Sequence, residues 1–170
     1  MPEDVLEKMI SSFMATDQRQ YSFGWQGGEP TLAGTSFFRK AVEFQKRYGR
    51  PGAVVANGLQ TNGTLLDDEM AELFAEFKFL AGVSLDGPPE LHDVYRRNRA
   101  GQGSHKDVLA GIEILRRHQV EFNILVLVSK ANVSRPKEVF DHLRGLGASY
   151  HQYIPCVEFD GAGRPMPYSI

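Results

Sequence analysis

The sequence predicts an α/β protein built on a parallel sheet, and three observations predict it. Segments of helical period alternate with short apolar runs along the whole chain. The runs start near residues 21, 53, 79, 121 and 150, with a helix between each pair, which calls for parallel strands joined by right-handed crossovers. The run Glu121 to Val128 is apolar nearly throughout, as strands buried on both faces tend to be.

Each element has its own signals. Glu3 to Ala15 carries Val5, Leu6, Met9, Ile10, Phe13 and Met14, a helical stripe that needs a packing partner. Tyr21 to Trp25 is a short strand, followed by the Gly27-Gly28 turn. Thr35 or Ser36 can cap a helix whose apolar positions are Phe37, Phe38, Ala41, Val42, Phe44 and Tyr48, and Gly49 and Pro51 end it. A second strand opens at Ala53 and points toward Gln60, although Asn57-Gly58 is by itself a turn signal. Asp67 or Asp68 opens a helix with Met70, Leu73, Phe74 and Phe77 inward, and Phe79 to Leu85 forms the third strand. After Asp86-Gly87-Pro88-Pro89 a long loop is expected through Arg96 to Gly103. Ser104 begins Ser-x-x-Asp, a capping-box-like start for a helix with Val108, Ile112 and Leu115. The fourth strand is Glu121 to Val128; Ser134 and Pro136 start a helix that Gly145 and Gly147 end, and Tyr150 to Ile154 is the fifth strand.

Five strands in 170 residues suggest an open doubly wound sheet or part of a barrel, because a complete eight-stranded barrel takes about 250. The spacing is too irregular for a solenoid. With 42% hydrophobic residues the chain has material for a core and reads as a single domain, residues 1–170. Nineteen Lys and Arg against 21 Asp and Glu give a charge of −2, so no basic surplus points to nucleic acid or an anionic membrane. The longest aliphatic stretch, Phe122 to Val128, is interrupted at Asn123 and is far short of a bilayer span. The acidic start Met1-Pro2-Glu3-Asp4 lacks a secretory pattern, and a cytoplasmic location is expected. Cys156 is the only cysteine, which excludes an internal disulfide and a multi-cysteine metal site made of these residues.

In either architecture the site lies at the carboxyl ends of the strands. The first strand delivers Gln26, Gly27, Gly28 and Glu29. Its two glycines bring bare backbone within reach of a ligand. The second delivers Gln60-Thr61-Asn62-Gly63, and the third Ser84 and Asp86. The following loop adds His92, Asp93, Tyr95 and Arg96, and the fifth strand ends at Ile154-Pro155-Cys156-Val157-Glu158. Together these offer donors, one fixed cation and an amide-rich rim, which suits a zwitterionic ligand with a carboxylate, an amine and a flat heterocycle. Arg96 is the expected carboxylate clamp, since a guanidinium makes two parallel hydrogen bonds. Its alternative is a solvated loop arginine beside Arg97 and Arg99. Trp25 is expected in the core or rim, and Cys156 as an inert buried thiol. His92 is within reach of the site, whereas His105, His118, His142 and His151 share no metal-like spacing and read as surface or capping residues. Asp86 reads as a turn cap before Gly87-Pro88.

Five strings carry a resemblance: Trp25-Gln26-Gly27-Gly28-Glu29-Pro30-Thr31-Leu32, Gln60-Thr61-Asn62-Gly63-Thr64-Leu65-Leu66, Ser84-Leu85-Asp86-Gly87-Pro88, His92-Asp93-x-Tyr95-Arg96 and Gln152-Tyr153-Ile154-Pro155-Cys156-Val157-Glu158. In this order and spacing the chain resembles the radical S-adenosylmethionine (radical SAM) enzymes, and within them the anaerobic sulfatase-maturating enzymes. The resemblance implies a partial (β/α)6 barrel of about five parallel strands with the first strand absent. It implies S-adenosylmethionine (SAM) as cofactor. Gly27, Gly28 and Glu29 would form the backbone edge for the methionyl amine, Ser84 and Arg96 would hold the carboxylate and neighbouring atoms, and Val157 would lie against the adenine. Gln26, Gln60 and Asn62 are candidates for SAM or substrate contacts. In the family a [4Fe-4S] cluster reduces SAM to a 5′-deoxyadenosyl radical, which takes hydrogen from the Cβ of a sulfatase cysteine or serine and leads to formylglycine.

The family holds that cluster with three cysteines in a Cys-x3-Cys-x2-Cys loop that this chain does not contain, and Cys156 cannot replace three thiolates. The resemblance therefore implies an internal fragment of a larger enzyme, inactive alone, with a sulfatase polypeptide as partner. Two alternatives are a maturase of another ribosomal peptide and a cluster-less regulator or binding module. The strand Tyr21 to Trp25 is expected to have an unpaired edge prone to self-association, and the helix Glu3 to Ala15 to lack its partner strand.

Overall fold

A computed structural model of the chain describes residues 1–170. In order the elements are α1 (Glu3–Met14), β1 (Gln20–Trp25), a 3-10 turn (Pro30–Ala33), α2 (Thr35–Tyr48), β2 (Val54–Thr61), α3 (Asp68–Glu76), β3 (Leu80–Ser84), α4 (Pro89–Tyr95), α5 (His105–Arg117), β4 (Phe122–Val128), α6 (Pro136–Gly145) and β5 (His151–Pro155). The strands form one sheet in the order β1-β2-β3-β4-β5, with β1 parallel to β2 and β4 parallel to β5. A doubly wound sheet reverses its strand order at a switch point. Here the order never reverses, which decides between the two architectures in favour of a partial (β/α) barrel.

Two compact units make up the chain. One comprises Met1–Thr61, Leu65–Ala81 and Ile114–Glu121; the other comprises Asn62–Thr64, Gly82–Glu113 and Phe122–Ile170. In the first, α1 buries Leu6, Ile10 and Met14, one residue per turn, and packs on α2. α2 covers the apolar stripe of this helix, and Phe13 sets its ring edge-on to Tyr21 and Phe23 of β1. β1 buries Tyr21, Phe23 and Trp25 and exposes Gln20, Ser22 and Gly24, the two-residue alternation of a strand with one covered face. An aromatic chain continues from Trp25 to Phe38 and on to the stacked pair Phe74 and Phe79, whose centroids are 4.8 Å apart. Full burial of each ring stabilises by about 1.5–3 kcal/mol.

β2 runs straight through Asn57-Gly58, where the sequence signals a turn. The reason is non-local. Asn57 is buried, its Oδ1 accepts the Trp25 indole N–H at 3.0 Å and the Gln45 amide at 2.9 Å, and its own amide donates to Gln45 Oε1 at 2.9 Å. A side chain so fully bonded no longer competes for its own backbone, so the extended conformation wins. Asp67 supplies the expected start of α3, its carboxylate accepting the Met70 N–H at 2.8 Å.

The second unit buries Val83, Leu85, Leu91, Val108, Ile112, Val139 and Leu143 together with Ile124, Leu125 and Val126 of β4. Pro136 opens α6 at its first turn, where a missing N–H costs nothing. β5 closes the sheet and is mostly exposed. One sequence expectation fails here: the stretch after Asp86 is not an unbroken loop, because Pro89–Tyr95 forms α4 with proline in its first turn. No helix is long and apolar enough to cross a membrane.

Replacing Asn57 by Ala removes the partner of a buried indole N–H and a buried glutamine amide. The expected cost is about 2–3 kcal/mol, read as a lower urea midpoint at unchanged slope. An unchanged midpoint would show that this network contributes nothing.

Candidate functional site

In the first unit the loop after β1 holds Gln26, Gly27, Gly28 and Glu29. Gly27 has φ +113° and Gly28 φ +57°, and no atom lies within 4 Å of where their Cβ atoms would sit. The backbone conformation requires glycine at Gly27, and both glycines are exposed. The Glu29 carboxylate builds the turn from beneath. It accepts the Thr31 N–H at 3.0 Å, the Thr31 hydroxyl at 2.6 Å and the Thr61 hydroxyl at 2.7 Å, capping the 3-10 turn and tying the loop to the end of β2. On β2 the buried side chains are Asn57, Leu59 and Thr61, so Gln60 lies on the opposite face with Ala56 and Gly58 and is exposed. Gln26 is exposed as well.

The second unit holds Asn62, Ser84, Arg96 and Val157. Arg96 is paired: its Nε donates to Asp86 Oδ2 at 2.5 Å and its Nη2 to Asp86 Oδ1 at 3.2 Å. The alternative of a solvated loop arginine is therefore excluded. Asp86, 6% exposed, also accepts the Leu127 N–H at 2.8 Å on Oδ1 and the Asn132 amide at 3.0 Å on its carbonyl. The expected turn-cap role is corrected accordingly: the carboxylate reaches across to β4 and to Arg96. α4 supplies the remaining geometry, because His92 and Arg96 stand one turn apart, with the Arg96 N–H on the His92 carbonyl at 3.1 Å. His92 Nδ1 accepts the Asp86 N–H at 3.1 Å, which places the neutral imidazole's proton on Nε2, 3.1 Å from Ser104 Oγ. Ser104 Oγ donates in turn to the Arg96 carbonyl at 3.0 Å. The ring Asp86–His92–Ser104–Arg96–Asp86 is closed.

That ring also corrects the capping-box reading. Ser104 gives its hydroxyl to Arg96, and it is the Asp93 carboxylate that accepts the His105 N–H at 2.9 Å where α5 begins. Gly103 makes room for this. A Cβ there would lie 2.1 Å from Asp93 Cγ.

Arg96 lines a cavity of about 300 Å³ with Asn62, Thr64, Tyr95, Asn98 and Ser104. Two of the residues singled out from sequence, Asn62 and Arg96, thus share one recess, in which Asn62 Oδ1 is held by the Thr64 N–H and hydroxyl at 3.0 and 2.8 Å. Larger recesses beside Gln45 and Arg50 and beside α6 contain none of those residues. Ser84 is half-buried at the end of β3. Val157 is 57% exposed, while its neighbour Cys156 is buried and donates its N–H to the Val128 carbonyl at 2.8 Å. Burial raises the Cys156 thiol pKa, with Glu158 and Asp86 adding to it, so the thiol keeps its proton.

Two histidines differ from expectation. His105 is buried and His142 half-buried, and their Nε2 atoms are 3.1 Å apart. Burial lowers both pKa values. Thirty-seven residues of separation carry no spacing signal. His118 pairs with Asp68, and His151 meets the Ala148 carbonyl.

Residues 1–143 match the family model described as the Radical SAM superfamily. The chain belongs to the radical SAM superfamily. Among radical SAM proteins it is 41% identical over 159 residues to the serine-type anaerobic sulfatase-maturating enzyme of Bacteroides thetaiotaomicron, covering 93% of this chain and 38% of that protein. It is 36% identical over 158 residues to the cysteine-type enzyme of Clostridium perfringens, covering 93% and 43%. The solved structure of native anSMEcpe with bound AdoMet (SAM) and Kp18Cys peptide matches at TM-score 0.91 and 35% identity, over 100% of this chain and 47% of that one. The chain spans less than half the length of these relatives. An iron–sulfur cluster does not fit these 170 residues: the single cysteine is buried and protonated, and no three His, Cys, Asp or Glu side chains are grouped to hold a metal.

The His92 ring predicts a pH dependence. Burial lowers the His92 pKa to about 4, Arg96 and His105 push the same way, and Asp86 and Asp93 oppose. Unfolded histidine titrates near 6.5, so below that pH the unfolded chain binds a proton that the folded chain refuses. The contribution is complete above about pH 6.5 and is lost as pH falls toward 4, at up to about 1.4 kcal/mol per unit. Between pH 7 and 4.5 the wild-type chain should therefore lose about 2–3 kcal/mol more stability in urea titrations than His92→Gln. Equal losses would contradict a neutral buried His92.

Proposed function

We propose that this chain is the SAM-binding part of an enzyme that oxidises a cysteine or serine of a sulfatase polypeptide to formylglycine. Relatives of both serine and cysteine type support the reaction class, and the match to anSMEcpe with AdoMet and a peptide supports the ligands. The observation that carries the reading is Arg96. Asp86 uses the Nε and Nη2 side of its guanidinium, which leaves the Nη1 side for a ligand carboxylate in the Asn62 recess.

SAM brings a carboxylate, an ammonium and an adenine, and the residues present fit each. The ammonium needs acceptors, and the exposed peptide groups of Gly27 and Gly28 offer carbonyls, with Glu29 completing the edge. Ser84, half-buried at the end of β3, adds a hydroxyl for the carboxylate. Exposed Val157 gives an apolar contact for the adenine. Gln26, Gln60 and Asn62 remain for further contacts with SAM or the peptide. SAM supplies the adenosyl group of the family's chemistry; these residues bind and orient it. The cluster that this chemistry also needs has no ligands among residues 1–170, so the chain alone binds SAM without turnover.

Calorimetric titration of the purified chain with SAM tests this. A charge-assisted hydrogen bond is worth about 1.5–3 kcal/mol, so Arg96→Ala should weaken binding by about 10-fold or more, and Arg96→Lys by less. Unchanged affinity in Arg96→Ala would remove Arg96 from the site, and the absence of any heat with wild-type chain would overturn the reading.

A further inference from the structure

We propose that His92 and Ser104 are positioning residues for the Arg96 guanidinium and set how strongly the site holds its ligand's carboxylate; this rests on the SAM reading above. Arg96 is the C-cap of α4, in an extended conformation. Its N–H makes the last helical bond, to the His92 carbonyl at 3.1 Å, and beyond the helix its carbonyl accepts the Ser104 N–H at 3.2 Å and the Ser104 hydroxyl at 3.0 Å. Asp86, which holds the other end of the side chain, is fixed at its N–H by His92 Nδ1. One imidazole therefore braces both ends of the ion pair, Asp86 directly and Arg96 through Ser104.

The brace has a directional logic. His92 is fully buried, so every polar atom on it must be matched. With Nδ1 accepting, Nε2 must donate, and the Ser104 hydroxyl that receives it has its own proton left for the Arg96 carbonyl. A free arginine side chain carries about 2 kcal/mol of rotamer entropy that binding would have to overcome. Here the fold has already removed it, and affinity rises through preorganisation rather than through an added contact. His92 does not line the recess; Ser104 does, but its hydroxyl is committed to His92 Nε2 and the Arg96 carbonyl.

Two ligands differing only in the carboxylate separate positioning from general damage. SAM and decarboxylated SAM are titrated into the wild-type chain, Ser104→Ala and Ser104→Thr. Losing one neutral hydrogen bond is worth about 1 kcal/mol, so Ser104→Ala should weaken SAM about fivefold or more. Decarboxylated SAM should change less than about twofold, within the error of such cycles. Ser104→Thr, which keeps the hydroxyl, should restore the preference. Equal loss for both ligands, or no loss for either, overturns the proposal. Should Ser104→Ala not fold, His92→Asn is held to the same comparison, since it keeps an acceptor for the Asp86 N–H and cuts the link to Ser104. A wild-type chain that binds both ligands equally would instead overturn the carboxylate assignment itself, and with it this inference, before any variant is made.

Discussion

A carboxylate withdrawn from water is tolerated only where donors surround it, and the second unit is organised around meeting that demand at Asp86. Its oxygens and carbonyl take bonds from Arg96, the Leu127 N–H and Asn132, while its N–H goes to His92. The partners come from three segments: α4 with its C-cap, β4, and the loop before α6. Losing any one leaves a buried charge or polar group uncompensated, which costs several times what the bond itself contributes. Asp86 thereby fixes where β3 ends, how α4 lies and where the arginine fork stands.

How much of this was legible in the sequence depended on the range of the interaction. Strand and helix existence followed from local period, and the Asp67 cap from three adjacent residues. The Asn57-Gly58 turn signal failed because Trp25 and Gln45, 32 and 12 residues away, satisfy the asparagine. α4 was hidden because seven residues are too few for a two-turn apolar stripe, and Pro88-Pro89 reads equally as a turn or a helix start. Once that helix is recognised, the four-residue spacing of His92 and Arg96 becomes informative. No such spacing links His105 to His142, or Ser104 to Arg96 by its hydroxyl; both depend on chain segments brought together only by folding.

The two groups of candidate residues are built by opposite means. At Gly27 and Gly28 the fold removes side chains and supports bare backbone with the Glu29 carboxylate, which is spent on Thr31 and Thr61. At Arg96 it adds side chains: Asp86 fixes the guanidinium, and Ser104 fixes the peptide behind it. Backbone carbonyls suit a cationic group, and a braced fork suits a carboxylate.

The Asp86–Arg96 pair also bears on selectivity. A lone buried arginine would attract any anion, and its hold would fall steeply with salt. Paired with a carboxylate, the guanidinium carries little net charge outward and presents instead a fixed set of N–H directions. Binding then depends on how well a carboxylate aligns with those directions, which is a question of geometry rather than of total charge. Simple anions gain little from such a site. A ligand whose carboxylate is held in register by its other contacts gains the whole interaction, and for that reason the brace behind Arg96 matters more than the charge in front of it.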